Sequence, residues 1–289
     1  MNIRVRSIHP TLGAEVSGIS LAAPLDATTE REIESAWRQH GVLVFRDQPI
    51  DDAAHVAFSR RFGELEVFPQ SDARSRLLPE VFRISNVDES GALLPSDNPV
   101  SRYSTLTWLW HSDSSYRAVP SKGAVLHGIE VVEEGGATLW ADLRTALAAM
   151  PRALARRIRG LRAVHSFVHS RNHRELPPMK PEELALVPPV EHPLVRAHEG
   201  AAPSVYLSPS YMERIAGWSV EESRELLDEL VRWCTQDRFV YRHQWRPHDV
   251  LMWDNRWTMH MVTPYDVAQR RRVMHRTAIA GTGPVLAAE

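Results

Sequence analysis

Short runs rich in β-branched and aromatic residues recur after residue 123, each bounded by turn-forming residues. They are AVLHGIEVV (124–132), SVYLS (204–208), FVYRHQW (239–245), DVLMWD (249–254) and RVMHRTAIAG (272–281). These strands are far apart in sequence, and only a few helices lie between them. The pattern therefore predicts a mainly β fold with flanking helices, a β-sandwich or jelly roll, in one domain over residues 1–289.

Helical periodicity appears in three other segments. Residues 29–40 carry an apolar stripe and begin with Thr29 and Glu32 at capping-box spacing. Residues 53–62 predict a second helix, ended by Gly63, and Ser219 with Glu222 predicts a capping box at the start of a third. We also expect strands within 2–18 and at 41–46, and a long surface loop at about 172–192.

Composition and charge exclude several classes of protein. The 289 residues carry a formal net charge of −2, which gives no electrostatic case for a nucleic-acid partner or an anionic membrane. The one cysteine, Cys234, excludes an intrachain disulfide and a cysteine-rich metal site. The first ten residues lack the apolar core of a signal peptide, and no apolar run reaches transmembrane length. We therefore expect a cytoplasmic protein.

Two histidines and one aspartate are candidates for a metal site. His111 and Asp113 are two positions apart, so on a strand their side chains would point to the same face. His260 is the best candidate for a third ligand. Two imidazoles and one carboxylate on one face of an ion suit Fe(II), because the remaining positions stay open.

Structural roles for these fragments remain open at this stage. His111 could be a half-buried histidine, and Asp113 a turn-capping residue between two serines. Asp254 and Asn255 could close a hairpin after the preceding strand, with His260 packed nearby.

The candidate metal ligands lie in two of eight longer sequence blocks that carry a wider resemblance. The blocks are LGAEVSGISLAAPLD (12–26), HGVLVFRDQPI (40–50), FSRRFGELE (58–66), WHSDSSYRAVPSKGAVL (110–126), GGATLWADLRTAL (135–147), HPLVRAH (192–198), WDNRWTMH (253–260) and RRVMHRTAIAG (271–281). In these blocks the chain resembles the taurine/2,4-dichlorophenoxyacetate dioxygenase family of Fe(II)- and 2-oxoglutarate-dependent enzymes, and it is nearer to the phenoxyacetate branch. The resemblance implies a double-stranded β-helix (jelly roll, cupin-like).

The resemblance also implies roles for particular residues. His111, Asp113 and His260 would bind iron, while Thr138 and Arg272 would hold the distal carboxylate of 2-oxoglutarate. A guanidinium suits that task because it donates two parallel hydrogen bonds to a carboxylate. Arg276 would meet an acidic group of the substrate or the other end of the cosubstrate. The segment before Arg272 is one residue longer than the family pattern, which leaves Arg271 as an alternative.

The resemblance implies oxidation of a small molecule with dioxygen. Taurine-specific relatives carry His and Tyr where this chain has Phe68 and Ser71, which disfavours taurine. Phe68, Tyr211 and Trp257 would line an apolar pocket or pack in the core. We expect a homo-oligomer that hydroxylates an aryloxyalkanoate-like acid, with ether cleavage where the hydroxyl group is placed beside an ether oxygen.

Other functions are retained as alternatives. The same chemistry could act on a sulfonate, an alkyl sulfate or a neutral metabolite. A non-catalytic metal-binding jelly roll would keep the three ligands without needing Thr138 or Arg272. A hydrolase is disfavoured, because the sequence has no G-x-S-x-G motif.

Overall fold

The computed structural model of the protein describes residues 3–67, 74–75, 78–88, 90–172, 176 and 178–289. The strands are β1 Arg4–Ser7, β2 Ala14–Ser17, β3 Val42–Phe45, β4 Phe82–Ser85, β5 Gly123–Glu130, β6 Thr138–Asp142, β7 Arg162–His165, β8 Val190–Pro193, β9 Val195–His198, β10 Ala201–Val205, β11 Met212–Ile215, β12 Val240–His243, β13 Val250–Asp254, β14 Thr258–Val262 and β15 Val273–Ile279. The α-helices are α1 Ala27–His40, α2 Asp52–Arg60, α3 Pro99–Ser104, α4 Leu143–Ala148, α5 Arg152–Ile158, α6 Phe167–Asn172, α7 Pro181–Leu184 and α8 Val220–Cys234.

Two sheets form the central jelly roll. The larger has the strand order β1-β2-β3-β13-β5-β15-β4 and the smaller the order β12-β6-β14. Neighbouring strands are antiparallel except for β2 and β3, which are parallel. A three-stranded sheet, β11-β7-β8, and the β9–β10 pair lie outside these two. The predicted mainly β, jelly-roll fold is confirmed.

The large sheet is covered on both faces, as the fully buried strand β3 shows. On one face, Leu126 and Met274 pack with Trp140 of the smaller sheet. On the other, Val125 and Ile279 join the core beneath α1 and α2. Because successive strand residues point to opposite faces, even-numbered positions of β15 face the space between the sheets.

The helix predictions are confirmed in position and partly wrong in detail. The capping box of α8 is present, since Ser219 Oγ accepts from the backbone of Glu222 and the Glu222 carboxylate accepts from the backbone of Ser219. The predicted box at Thr29 is wrong. Helix α1 begins at Ala27, and Asp26 caps it by accepting from Thr29 N at 2.8 Å. The second helix ends at Arg60 and not at residue 62.

Two loop predictions need correction. Part of the predicted loop at 172–192 is regular, because it contains α7 and the beginning of β8, while residues 173–175 and 177 lie outside the described residues. Asp254 and Asn255 do not close a hairpin, since β13 and β14 belong to different sheets. Their turn instead carries the chain across the jelly roll to His260. Within the described part of the chain, every helix is too short or too polar to span a bilayer.

The α8 capping box generates a prediction about stability. Replacing Ser219 with Ala removes the acceptor for an N-terminal backbone N–H, so we expect the free energy of unfolding to fall by about 1 kcal/mol. Urea unfolding followed by circular dichroism measures this change. Ser219→Thr keeps a hydroxyl and is the control. Equal midpoints for Ser219→Ala and the wild type would contradict the capping role.

Candidate active site

His111 and His260 are joined by their backbones. His111 N donates to His260 O at 2.9 Å, and His260 N donates to His111 O at 2.7 Å. This isolated bridge adds one residue to the edge of the smaller sheet beside β14. It brings the two imidazole centroids to 4.2 Å.

Asp113 reaches the same point by a turn. His111 and Asp113 do not share a strand, which was the condition for their side chains to point to one face, because the chain turns at Asp113 and Ser114 has φ 55°. The turn nevertheless directs the carboxylate towards the imidazoles. One ligand atom each of His111, Asp113 and His260 lies within 4.8 Å of the other two.

The chemistry of these three side chains fits a metal ion. All three are buried, and burial holds the pKa of both imidazoles below its usual value, so both stay in the neutral form that binds metals. His111 Nδ1 lies 2.7 Å from Leu109 O, which fixes the tautomer with Nε2 as the ligand atom. Among the described residues, His260 Nδ1 is buried without a hydrogen-bond partner.

Asp113 is held as a carboxylate by its neighbours. Burial raises the pKa of Asp113, but the positive charge of Arg276 together with polar neighbours that include Asn255 outweighs burial, and the pKa lies below its usual value. Arg276 donates to Asp113 Oδ1, and Asn255 Nδ2 donates to Asp113 Oδ2 at 3.4 Å. Trp253 Nε1 in turn donates to Asn255 Oδ1 at 2.9 Å, which fixes the amide.

Arg272 is a buried cation immediately before β15. Its side chain is among the buried polar groups, and within the described part of the chain no carboxylate lies within 4 Å of it. Asn86, which the sequence analysis missed, fixes its backbone by accepting from Arg272 N at 2.8 Å. Gly136 lies beside this side chain with φ 59°, and glycine is needed there because a Cβ would lie only 2.4 Å from Val132 Cγ2.

Thr138 follows Gly136 by two residues on β6. Its hydroxyl is buried and accepts from Trp245 Nε1 at 2.9 Å, so its own proton is oriented for another acceptor. Arg271, in contrast, is exposed and pairs with Glu130 at 2.7 and 2.8 Å. Of the two neighbouring arginines, only Arg272 lies where it could meet a buried anion.

A cavity opens beside the three candidate ligands. Arg276 and Tyr211, the candidate substrate-binding residues, line it together with His111 and Asp113. The remaining lining residues were missed: Phe82, Ile84, Leu106, Thr107, Ser114, Tyr116 and Ser210. Ser114 and Tyr116 follow the His111–Asp113 motif directly, and that closeness was a usable signal. Leu106 and Thr107 lie shortly before the motif but carry no recognisable pattern, and Phe82, Ile84 and Ser210 come from distant segments.

The two other predicted pocket residues are Phe68 and Trp257. Phe68 and Ser71 lie outside the described residues. Trp257 is buried away from this cavity, against Gly41 and beneath Arg144, whose guanidinium lies 3.2 Å from its ring centroid. It is a core residue, which was one of the two roles considered for it.

Residues 4–278 match the family model described as "Taurine catabolism dioxygenase TauD, TfdA family". The chain belongs to this family. It is 35% identical over 282 residues to the alpha-ketoglutarate-dependent 2,4-dichlorophenoxyacetate dioxygenase of Cupriavidus pinatubonensis, covering 96% of this chain and 98% of the relative. It is 33% identical over 285 residues to the (S)-phenoxypropionate/alpha-ketoglutarate-dioxygenase of Sphingobium herbicidovorans, covering 96% and 94%.

A solved structure agrees with these relatives. The crystal structure of AAD-2 in complex with Mn(II) and N-oxalylglycine superposes with a TM-score of 0.90 at 38% identity, covering 99% of this chain and all of the other. The protein is a 2-oxoglutarate-dependent dioxygenase that uses Fe(II) and dioxygen. The expected enzyme class is confirmed, and a non-catalytic metal-binding protein is excluded.

The three-residue cluster generates a prediction about metal affinity. His260→Ala and Asp113→Ala should each weaken Mn(II) binding by more than about 100-fold, because loss of a ligand should exceed the effect of losing an outer contact. Calorimetric titration under argon measures the affinity. His40→Ala, at the end of α1, removes an imidazole elsewhere and should change nothing. Unaltered affinity in either cluster variant would show that its residue is not a ligand.

Proposed function

We propose that this enzyme hydroxylates a small aryloxyalkanoate-like acid at the carbon next to its carboxylate. The observation that carries the proposal is the position of Arg276. This buried arginine lies in the cavity wall and contacts the carboxylate of Asp113. A substrate carboxylate bound to its guanidinium would be anchored beside the metal ligands.

The walls of the cavity suit an aromatic body. Tyr116 and Tyr211 lie with ring centroids 5.0 Å apart, and Phe82 lies beneath the Arg276 guanidinium at 5.3 Å. Aromatic rings bind aromatic ligands through offset or edge-to-face contacts. We assign Tyr211 to the apolar part of the substrate, and Phe68 keeps the same role as a prediction.

The cosubstrate would be held on the side of the jelly roll formed by β6 and β15. A buried guanidinium without a carboxylate partner is costly, so the Arg272 position favours a ligand that brings its own anion. We propose that Arg272 and Thr138 bind the distal carboxylate of 2-oxoglutarate. We likewise assign His111, Asp113 and His260 as the ligands of iron.

Fe(II), with 2-oxoglutarate and dioxygen, supplies the chemistry that converts a substrate C–H bond to C–OH while 2-oxoglutarate becomes succinate and carbon dioxide. The protein positions the α-carbon and excludes water. If that carbon also carries an aryl ether oxygen, the hydroxylated product is a hemiacetal. It collapses to a phenol and an oxo acid, glyoxylate in the case of an aryloxyacetate.

The relatives support this substrate class, since their names specify 2,4-dichlorophenoxyacetate and (S)-phenoxypropionate. The small-molecule substrate follows from the family. A homo-oligomer of single-domain subunits in the cytoplasm remains part of the proposal. Size-exclusion chromatography with light scattering and cell fractionation test those points.

The proposed cosubstrate site predicts two unequal losses. Arg272→Ala should weaken 2-oxoglutarate binding by about 2–5 kcal/mol, because it leaves a buried carboxylate unpaired. Thr138→Ala should cost about 1 kcal/mol, since it removes one hydrogen bond among several. Titration of the Mn(II)-loaded protein gives both values. Arg271→Ala is the matched control, and a larger effect there than at Arg272 would reassign the site.

Measurement of the products released from different substrates tests the proposed substrate class. Phenoxyacetate and 2-phenoxypropionate should release phenol and succinate in equal amounts, and faster than an alkyl sulfate or taurine releases succinate. Arg276→Gln should remove the preference for phenoxyacetate over phenoxyacetamide, because only the acid needs a cation. A preference for taurine, or an unchanged acid-to-amide ratio in Arg276→Gln, would contradict the carboxylate anchor while leaving the dioxygenase chemistry intact.

A further inference from the structure

A second cavity, of about 480 Å³, lies apart from the candidate active site. It opens between the end of α1, the turn between β13 and β14, the β9–β10 pair and residues 281–286. Neither the three metal-site residues nor Thr138, Arg272 or Arg276 lines it. Its volume falls within the range of about 300–1,000 Å³ that is typical of small-molecule sites.

The lining of this cavity is strongly cationic. Its cationic side chains are Arg38, Lys122, Arg144, Arg196 and Arg256, and its one acidic residue is Glu199. Two further carboxylates neutralise part of this charge. Glu34 pairs with Arg38 at 3.0 Å and with Lys122 at 3.4 Å, and Asp254 pairs with Arg256 at 2.6 Å. Positive charge remains in excess.

Arg144 and Arg196 account for that excess. In the described ranges, neither has a carboxylate within 4 Å, although both side chains are half-buried. Burial lowers the pKa of both guanidinium groups, which marks the cost of holding them there without an anion. An anionic ligand would pair with these guanidinium groups and offset that cost, so the site favours binding of an anion.

Both arginines are also fixed in place before any ligand binds. Arg144 stacks on Trp257 with its guanidinium carbon 3.2 Å from the ring centroid and donates to the carbonyls of Arg38 and Gln39. Arg196 lies 5.3 Å over the ring of Tyr206. A preorganised guanidinium loses little entropy on binding, and its planar donors match carboxylate and phosphate oxygens.

We propose that this cavity is a second ligand site, which binds a small organic anion carrying at least two negative charges. The volume is large for a single inorganic ion, and two unpaired arginines call for more than one charged group. Carboxylates and phosphate esters share the chemistry that these arginines recognise. The proposal does not rest on the proposed substrate, because no residue is common to the two cavities.

Calorimetric titration of the enzyme loaded with Fe(II) and saturating 2-oxoglutarate under argon tests the proposal, since the cosubstrate site is then filled. The probes are glycerol 3-phosphate and tricarballylate. We expect at least one to bind the wild type with a stoichiometry of one. Tighter binding of glycerol 3-phosphate indicates that the ligand is a phosphate ester, and tighter binding of tricarballylate indicates that it is a polycarboxylate.

Binding measurements on variants establish whether the probes bind in this cavity. Arg196→Gln should weaken it at least tenfold, whereas Arg157→Gln, which removes an exposed arginine paired with Glu229, should not change it. Arg38→Glu alters an exposed side chain of the cavity and provides a second test if Arg196→Gln does not fold by circular dichroism. Absence of saturable binding, or equal affinities in all variants, would overturn the proposal.

Discussion

The two reciprocal backbone hydrogen bonds between His111 and His260 are the interaction on which the active site depends. They join a segment preceding the large sheet's β5 to a strand of the smaller sheet, across 149 positions of sequence. Side chains from both segments therefore meet at the rim of the jelly roll. Because the backbone sets the imidazole positions, the site is preorganised before a metal ion arrives.

Local signals in the sequence were sufficient for some features and misleading for others. Ser219 with Glu222 predicted a helix start correctly, because both capping bonds connect residues only three positions apart. The same spacing at Thr29 failed, since Asp26 supplies a carboxylate acceptor three residues earlier and the chain enters the helix there. The two-residue spacing of His111 and Asp113 indicated proximity correctly, but a turn and not a strand produces it.

Features that depend on distant partners were beyond local reasoning. Asn86 fixes the backbone of Arg272, and Glu130 pairs with Arg271 at the surface, so the choice between the arginines depends on residues far away in sequence. The same holds for the second cavity. Arg144 lies in α4 and Arg196 in β9, and no spacing rule brings them together. Sequence resemblance identified the candidate active-site residues, but it gave no indication of the second cavity.

We propose that one buried cluster holds the metal while Arg272 holds the cosubstrate. A crystal structure of the protein grown with Mn(II) and 2-oxoglutarate under argon tests it most directly. We expect a single metal ion bound by His111, Asp113 and His260, with the distal carboxylate of 2-oxoglutarate on Arg272 and Thr138. A metal ion bound elsewhere, or a cosubstrate whose distal carboxylate contacts neither residue, would contradict it.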